Sequence, residues 1–454
     1  MFVPVDRSAM NTCQKSHVST TSRRRFLGGV IAAAAAPQIV PSRLLGGPEA
    51  PSNQIRLGHI GVGGQGGNLM RLMMSAGGAV SAAVCDPFRS RRESAGELAE
   101  QVQGHKPDLH SDFRELLADE SIDAVVIATP DHWHVPIGLA AVRAGKGVYL
   151  EKPLGFTLQQ NQAMQDTVRQ HGTVFQYGTQ QRSQESARRG IELVLNGYIG
   201  TLKEIHVWAP AGEGGGSTEE IPVPDGLDYD LFLGPAPMRP CTEDLITSRG
   251  SYFYRDFSLG FIAGWGAHPL DIAIWGLDFD RLGPVRFKGS GTFPPPTDLF
   301  NACTTWNAEV DFGGKVAMNF VSADHARELA GGYLDHVHND GTTFIGDEGW
   351  VSISRGAAYA SNPDWLRLRQ SEGDRRVPFH NLFHRSFIDA VRDDAPTIAP
   401  VEDAVRSDAL SHLSLLAIES GEEVVWNPAS YQIEAPQALR ERMSQEIRGP
   451  WRQS

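Results

Sequence analysis

Cysteine is scarce, with four residues in a chain of 454. That excludes a disulfide framework as the basis of the fold. No Cys/His spacing matches a metal site, so no metal is expected. Cys85 lies in an apolar run that reads as a buried strand, and the sequence leaves open whether Cys241 and Cys303 pair. Basic residues are also in the minority, 41 Lys and Arg against 54 Asp and Glu, for a net charge of −13. Residues 1–35 carry +4, from Asp6 against Arg7, Lys15, Arg23, Arg24 and Arg25, which leaves −17 on the remainder. Such acidity argues against non-specific binding to nucleic acid or to anionic membranes. The apolar run from Phe26 to Ala36 is short of the roughly 20 residues that span a bilayer, so no stable membrane anchor is expected. There is no internal repeat.

What is present begins with Ser22-Arg23-Arg24-Arg25-Phe26-Leu27, followed by a short apolar run and five alanines. Arginines, apolar run and small residues in that order read as a twin-arginine export signal over 1–35, with cleavage before Ala36. That route carries folded proteins, so the Tat machinery is an expected partner and the periplasm the expected location. Residues 36–54 are rich in Pro, Gly and Ser and read as a linker.

From residue 55 short apolar strands alternate with helices. Strands are expected at Ile55–Gly61, Val80–Cys85, Ala124–Ala128, Gly147–Leu150 and Thr173–Tyr177. Helices are expected at Gln65–Ser75, Asp112–Ala118, Val135–Ala144 and Leu158–His171. This alternation predicts an α/β fold with a parallel sheet covered by helices on both faces, a Rossmann dinucleotide-binding domain over 55–180. After residue 180 a helix fits Ser183–Leu195. Six strand-like runs follow between Leu202 and Ser354 with few helices between them, and helices return at His380–Val391 and Val401–Ser420. A second α+β domain with an open, mainly antiparallel sheet is expected over 181–425, and a C-terminal tail over 426–454. Residues 210–240 form a long Gly/Pro-rich excursion.

Gly61-Val62-Gly63-Gly64-Gln65-Gly66 fits the dinucleotide fingerprint, after a strand and opening a helix. Gly61 serves the tight turn, Gly63 the approach of a pyrophosphate and Gly66 the packing of helix on strand; Gly64 and Gln65 lie at the helix N-terminus that takes the phosphates. Asp86 ends the second strand, 20 residues after Gly66, where a carboxylate accepts from a ribose 2′-hydroxyl and repels a 2′-phosphate. The expected cofactor is NAD rather than NADP. Thr129, Pro130 and His134 follow one strand and Glu151 and Lys152 the next. The carboxyl ends of parallel strands are where open α/β sheets bind ligands. A lysine there can hydrogen-bond a hydroxyl and help it lose its proton. His336 and His338 are spaced as in an ordinary strand and are not taken as ligands.

With these motifs in place the chain resembles the glucose–fructose oxidoreductase/inositol dehydrogenase/rhizopine-catabolism superfamily, Gfo/Idh/MocA, and within it the exported members. The matching stretches are 61–66, ATPDHWH at 128–134, GKGVYLEKPL at 145–154, GTQQRS at 178–183, WGAHPLDIAIWGL at 265–277 and FIGDEGW at 344–350. The resemblance implies a nicotinamide site between a Rossmann domain and an open sheet, a cis peptide before Pro153, and a homo-oligomer. It assigns the catalytic lysine to Lys152 and a histidine near the reacting hydroxyl to His268, with Asp271 three residues further on as a possible helper. Gln181 and Arg182 are assigned to substrate or, equally, to hydrogen bonds between domains. Trp265 is assigned to a sugar face, and Trp275 to the core. The family pattern has an aspartate four residues before the histidine; this sequence has Gly264. Either another group substitutes, with Asp271 and Asp256 as candidates, or the chemistry differs.

The implied activity is an NAD(H)-dependent oxidoreductase acting on a small-molecule carbohydrate, with a sugar, polyol or glycoside hydroxyl as the target and a cofactor that stays bound and is recycled. A glycoside hydrolase that uses NAD for transient oxidation and elimination is the second reading. A non-catalytic carbohydrate- or NAD-binding protein is the third, supported by Gly264 alone.

Overall fold

The computed structural model describes residues 53–277, 283–368, 371–445, 447–449 and 451. The leader 1–35, with Cys13, and nearly all of the linker lie outside the described residues. Those described fall within one unit, 48–454.

The first half alternates as its sequence requires: β1 (Ile55–Ile60), α1 (Gly64–Ala76), β2 (Ala79–Cys85), α2 (Arg89–Gln103), β3 (Asp108–His110), α3 (Phe113–Leu117), β4 (Ala124–Ile127), α4 (Asp131–Arg143), β5 (Gly147–Leu150), α5 (Leu158–His171) and β6 (Phe175–Tyr177). The six strands form a parallel sheet in the order β3-β2-β1-β4-β5-β6. β4 is buried along its whole length, as a central strand covered on both faces must be. Asp112 caps α3, its carboxylate accepting from the Arg114 amide at 2.9 Å. α2 is not among the helices expected from the sequence. Its buried positions are Ala95, Gly96 and Ala99, so it has no large apolar stripe.

The second half runs α6 (Glu185–Leu195), β7 (Leu202–Ala209), α7 (Tyr229–Leu233), α8 (Ser248–Phe253), α9 (Phe261–Gly264), α10 (Ala267–Trp275), β8 (Val285–Thr292), β9 (Thr305–Phe312), β10 (Val316–Ser322), α11 (Ala323–Ala330), β11 (Gly341–Gly346), β12 (Trp350–Ser354), β13 (Ala357–Ala360), α12 (Phe383–Asp393), α13 (Val401–Ser420), β14 (Val424–Asn427) and β15 (Gln432–Ala435). Nine strands form one sheet, β13-β12-β11-β7-β10-β9-β8-β14-β15. β7 and β10 pair in parallel and the other neighbours are antiparallel. The segment expected as a tail therefore supplies the edge of this sheet: β15 pairs with β14, and Ile433 and Trp426 are buried in the core.

The chain also returns to its first half. Phe383, Phe387, Ile388, Val401, Ala404 and Val405 pack into the Rossmann core, while Ala409 to Ile418 of the same α13 pack into the sheet core. One buried helix thus joins both cores. Cys85, Cys241 and Cys303 are free, buried thiols, so Cys241 and Cys303 do not pair.

Candidate active site

A cavity of about 360 Å³ opens at the carboxyl ends of β1, β2, β4 and β5. Gly61, Gly63, Gly64, Gln65, Asp86, Thr129, Pro130, His134, Glu151 and Lys152 all line it. Gly61 has φ +80°, and a Cβ there would meet the Ala128 carbonyl oxygen at 2.7 Å, so only glycine makes this turn. Gly66 lies outside the lining. A Cβ on it would meet the Gly61 oxygen at 1.8 Å, so its role is helix-on-strand packing. A Cβ on Gly64 would meet nothing within 4 Å. The N-terminus of α1 has no side-chain cap, so its amides are left for an anionic group.

Asp86 is buried. Its carboxylate accepts from the Val62 amide at 3.0 Å and the Phe88 amide at 2.9 Å, tying the glycine loop to the end of β2. Burial raises its pKa, opposed by Arg91 and these two amides. Arg91 also lines the cavity, stacked on Phe88 at 3.7 Å. Glu151 accepts from Gln65 Nε2 at 3.2 Å and from the Lys152 amide at 3.1 Å. Burial raises the Glu151 pKa as well. His134 contacts the Pro153 and Thr129 carbonyl oxygens at 2.6 and 2.9 Å, linking the ends of β4 and β5. Burial holds its imidazole down at about 4.

Lys152 precedes a cis peptide to Pro153. Its Nζ donates to the Gly264 carbonyl oxygen at 2.9 Å and stands 6.0 Å from the Tyr252 ring centroid. The segment after Pro153 is held by Asp408 of α13. That buried carboxylate accepts from the Leu154 and Gly155 amides, Asn161 and the Tyr177 hydroxyl.

The remaining expected residues are not in the cavity lining. His268 is buried at the start of α10, against the Trp265 ring. Burial, then the charges of Lys152 and Arg355, keep its pKa well below the ordinary value, so it is a neutral imidazole beside Lys152. Its Nδ1 has no hydrogen-bond partner among the described residues. Arg182 grips Asp271 through Nε at 2.8 Å and Nη2 at 2.7 Å, and also holds Asp403 and the Ile398 carbonyl. Both are fully buried, and their bonds tie segments distant in sequence, the second of the two roles expected for Arg182. Gln181 likewise donates to Asp340 at 2.9 Å in a buried contact. Trp265 carries the Arg355 guanidinium 5.4 Å from its ring centroid. Asp256 accepts from Tyr254 and lines a different cavity, so it does not replace the missing aspartate.

Asp131, Arg91, Ser248, Ser251 and Tyr252 also line the cavity and are not among the residues expected from the sequence. Asp131 was legible as the residue after Thr129-Pro130. Ser248, Ser251 and Tyr252 sit on the short α8, which has no periodic signal. The 210–240 excursion supplies Leu231 and Phe232 to the same wall. Trp133 donates to the Leu231 carbonyl at 3.0 Å and fixes that loop. Among the described residues no group of three or more His, Cys, Asp or Glu is placed to hold a metal, and no helix is long and apolar enough to cross a membrane.

Residues 55–179 match the NAD-binding Rossmann fold of the Gfo/Idh/MocA oxidoreductase family, and residues 202–325 match that family's C-terminal α/β domain. The chain belongs to this family. A glycosyl hydrolase family 109 protein of Saccharopolyspora erythraea is 33% identical over 117 residues, covering 25% of this chain and 26% of its own. A 2,7-anhydro-N-acetylneuraminate hydratase of Mediterraneibacter gnavus is 30% identical over 147 residues, 32% of this chain and 37% of its own. The chain thus spans well under half of these curated relatives. Among solved structures, scyllo-inositol dehydrogenase of Lactobacillus casei, with bound NAD(H) and scyllo-inositol, has the same fold: TM-score 0.56, 18% identity, 82% of this chain and 99% of that one. The cavity residues fit the family's cofactor, NAD. Gly61, Gly63, Gly64 and Gln65 offer a side-chain-free approach and uncapped amides to a pyrophosphate, and Asp86 offers a carboxylate to a ribose hydroxyl.

Proposed function

We propose that this Gfo/Idh/MocA member is an exported NAD(H)-dependent oxidoreductase acting on a CH–OH group of a sugar, polyol or glycoside, with its cofactor retained between turnovers. One observation carries the reading. Lys152 lines the same cavity as the glycine loop and Asp86, and its Nζ is held by a backbone carbonyl that a substrate hydroxyl can supplement. NAD, when bound, supplies a hydride acceptor. Lys152 binds the reacting hydroxyl and takes its proton, and His268, neutral beside it, accepts or returns a hydrogen bond at the same oxygen. Tyr252, Ser248 and Ser251 face the cavity as hydroxyl contacts for a polyhydroxylated ligand.

A transient-oxidation glycosidase is the second reading, favoured by the family 109 and hydratase relatives. It needs no net electron acceptor, which suits an exported enzyme. Purification from the periplasm and mass spectrometry of the bound nucleotide, followed by a screen of sugars, polyols and nitrophenyl glycosides, tests both. Net accumulation of NADH supports the first reading, and glycoside cleavage without it supports the second. Turnover of neither kind leaves a binding protein. Export rests on Arg23, Arg24 and Arg25. Replacing all three with lysine should strand the protein in the cytoplasm, and unchanged export removes the argument for a retained cofactor. A homo-oligomer is part of the proposal and is checked by light scattering.

A further inference from the structure

Gly264 leaves Lys152 without the carboxylate that the resemblance would supply, but the fold brings one from another element. Asp131 follows Thr129 and Pro130 directly, opens α4 and lines the cavity that Lys152 lines. It is 5% exposed, and its Oδ2 is enclosed without a hydrogen-bond partner. A buried carboxylate oxygen left unpaired in a native structure calls for an explanation, because desolvation without a partner costs free energy. The neighbouring carboxylates are committed. Glu151 accepts from Gln65 and the Lys152 amide, Asp271 from Arg182, and Asp408 from the 154–155 turn and Tyr177. Asp131 Oδ2 is an enclosed acceptor without a partner beside this cavity, and Lys152 Nζ, here bonded to Gly264, makes no ion pair with it in this structure.

We propose that Asp131 is the proton acceptor for Lys152, taking one proton from Nζ as Nζ takes the proton of the reacting hydroxyl. This rests on the oxidoreductase reading. The substrate O–H bond breaks and an N–H bond forms. A second N–H bond breaks and an O–H bond forms on Asp131, while the C–H electron pair leaves as hydride to NAD. Lys152 ends with as many protons as it began with, and Asp131 ends neutral. Nζ keeps its bond to the Gly264 carbonyl, gives one proton to Asp131 and turns the freed lone pair to the hydroxyl, which then donates to it.

The electrostatics suit the role. Burial pushes the Asp131 carboxyl up to about 7, against the pull of the Ser258 hydroxyl and then of Lys152. A group that changes state near working pH can both take and release a proton. The titratable groups around it are Lys152 and Glu151 beyond β5, Tyr252 of α8, Asp408 of α13, and His132 and His134 on its own helix, which burial keeps neutral.

The test is a carbon-13 NMR titration of the full NAD-loaded protein labelled at aspartate carboxyls. One resonance should titrate near 7, vanish in Asp131→Asn and move upward in Lys152→Met, which removes the nearby positive charge. Turnover of the substrate found in the screen should fall by about 10²–10⁴-fold in Asp131→Asn and recover in part in Asp131→Glu. If Asp131→Asn does not fold, the Lys152→Met shift and Asp131→Glu decide the matter. If Lys152→Met abolishes turnover while the Asp131 resonance titrates at the ordinary carboxylate range or ignores that change, the relay is overturned and the oxidoreductase reading stands. If no substrate turns over in any form, that reading fails, and the titration still shows whether the two groups are coupled.

Discussion

The Lys152 side chain donates to the backbone carbonyl of Gly264 at 2.9 Å, across 112 residues of sequence. The lysine at the end of β5 is thereby tied to the α9–α10 segment that carries His268. The tie uses the main chain, so it does not depend on what side chain position 264 carries. The two halves of the site meet through this bond.

Lys152→Ala and His268→Ala should each lower turnover by about 10²–10⁴-fold, the usual cost of removing a positioned acid or base. Nucleotide binding should survive, because the glycine loop and Asp86 are untouched. Single-turnover kinetics beside a nucleotide-binding titration check this. Wild-type rates in Lys152→Ala would refute the assignment.

Gly264→Ala should fold and keep turnover. A Cβ at 264 meets nothing within 4 Å, and the backbone there is not left-handed. Such replacements gain about 0.4–1 kcal/mol by restricting the unfolded chain. A thermal melt and a kcat measurement suffice. A marked loss of kcat alone would show that substrate needs this space.

Asp271→Asn should damage stability rather than chemistry. It strips a buried partner from Arg182, and breaking such a pair costs about 3–5 kcal/mol. The Asp403 contact to Arg182 at 2.7 Å moderates the loss. A fall in urea midpoint with near-normal turnover of the folded fraction is expected. The opposite pattern would restore Asp271 to the chemistry.

Asp86→Ala should narrow the preference for NAD over NADP by about tenfold or more, about 1.4 kcal/mol. Repulsion of the 2′-phosphate is lost while Arg91 remains in the cavity wall. Equal binding of both nucleotides by the unmodified protein would contradict the role of Asp86.

Acid should unfold the protein partly through His132, which stacks on Phe257 at 4.4 Å and is held by burial at about 3. Unfolded, it titrates near 6.5. Below that pH the unfolded chain binds a proton that the folded one refuses. The stability from keeping it neutral is therefore full above about 6.5 and is lost as pH falls toward 3. His132→Phe keeps the stack and removes this dependence. Between pH 6 and 4 its stability should fall less steeply than wild type, by up to about 1.4 kcal/mol per pH unit. Parallel curves in urea unfolding would exclude the effect.

The sequence by itself determined the parallel β/α half, because strands buried on both faces read as continuous apolar runs and their turns need glycine. It also placed the nucleotide loop, Asp86, Glu151 and Lys152, since local spacing at the ends of parallel strands fixes them. It did not show α2 or α11, whose buried faces are mostly alanine, nor the edge strands β13 and β15, which are too short to carry a period. Only the tertiary structure decided the roles set by contacts distant in sequence. Arg182 and Asp271 are 89 residues apart and spend their charges on each other. Asp131 lines the cavity that Lys152 lines because α4 brings it there, with Oδ2 left without a partner. Burial and partner choice are properties of the packed chain, and no local pattern encodes which carboxylate is left open.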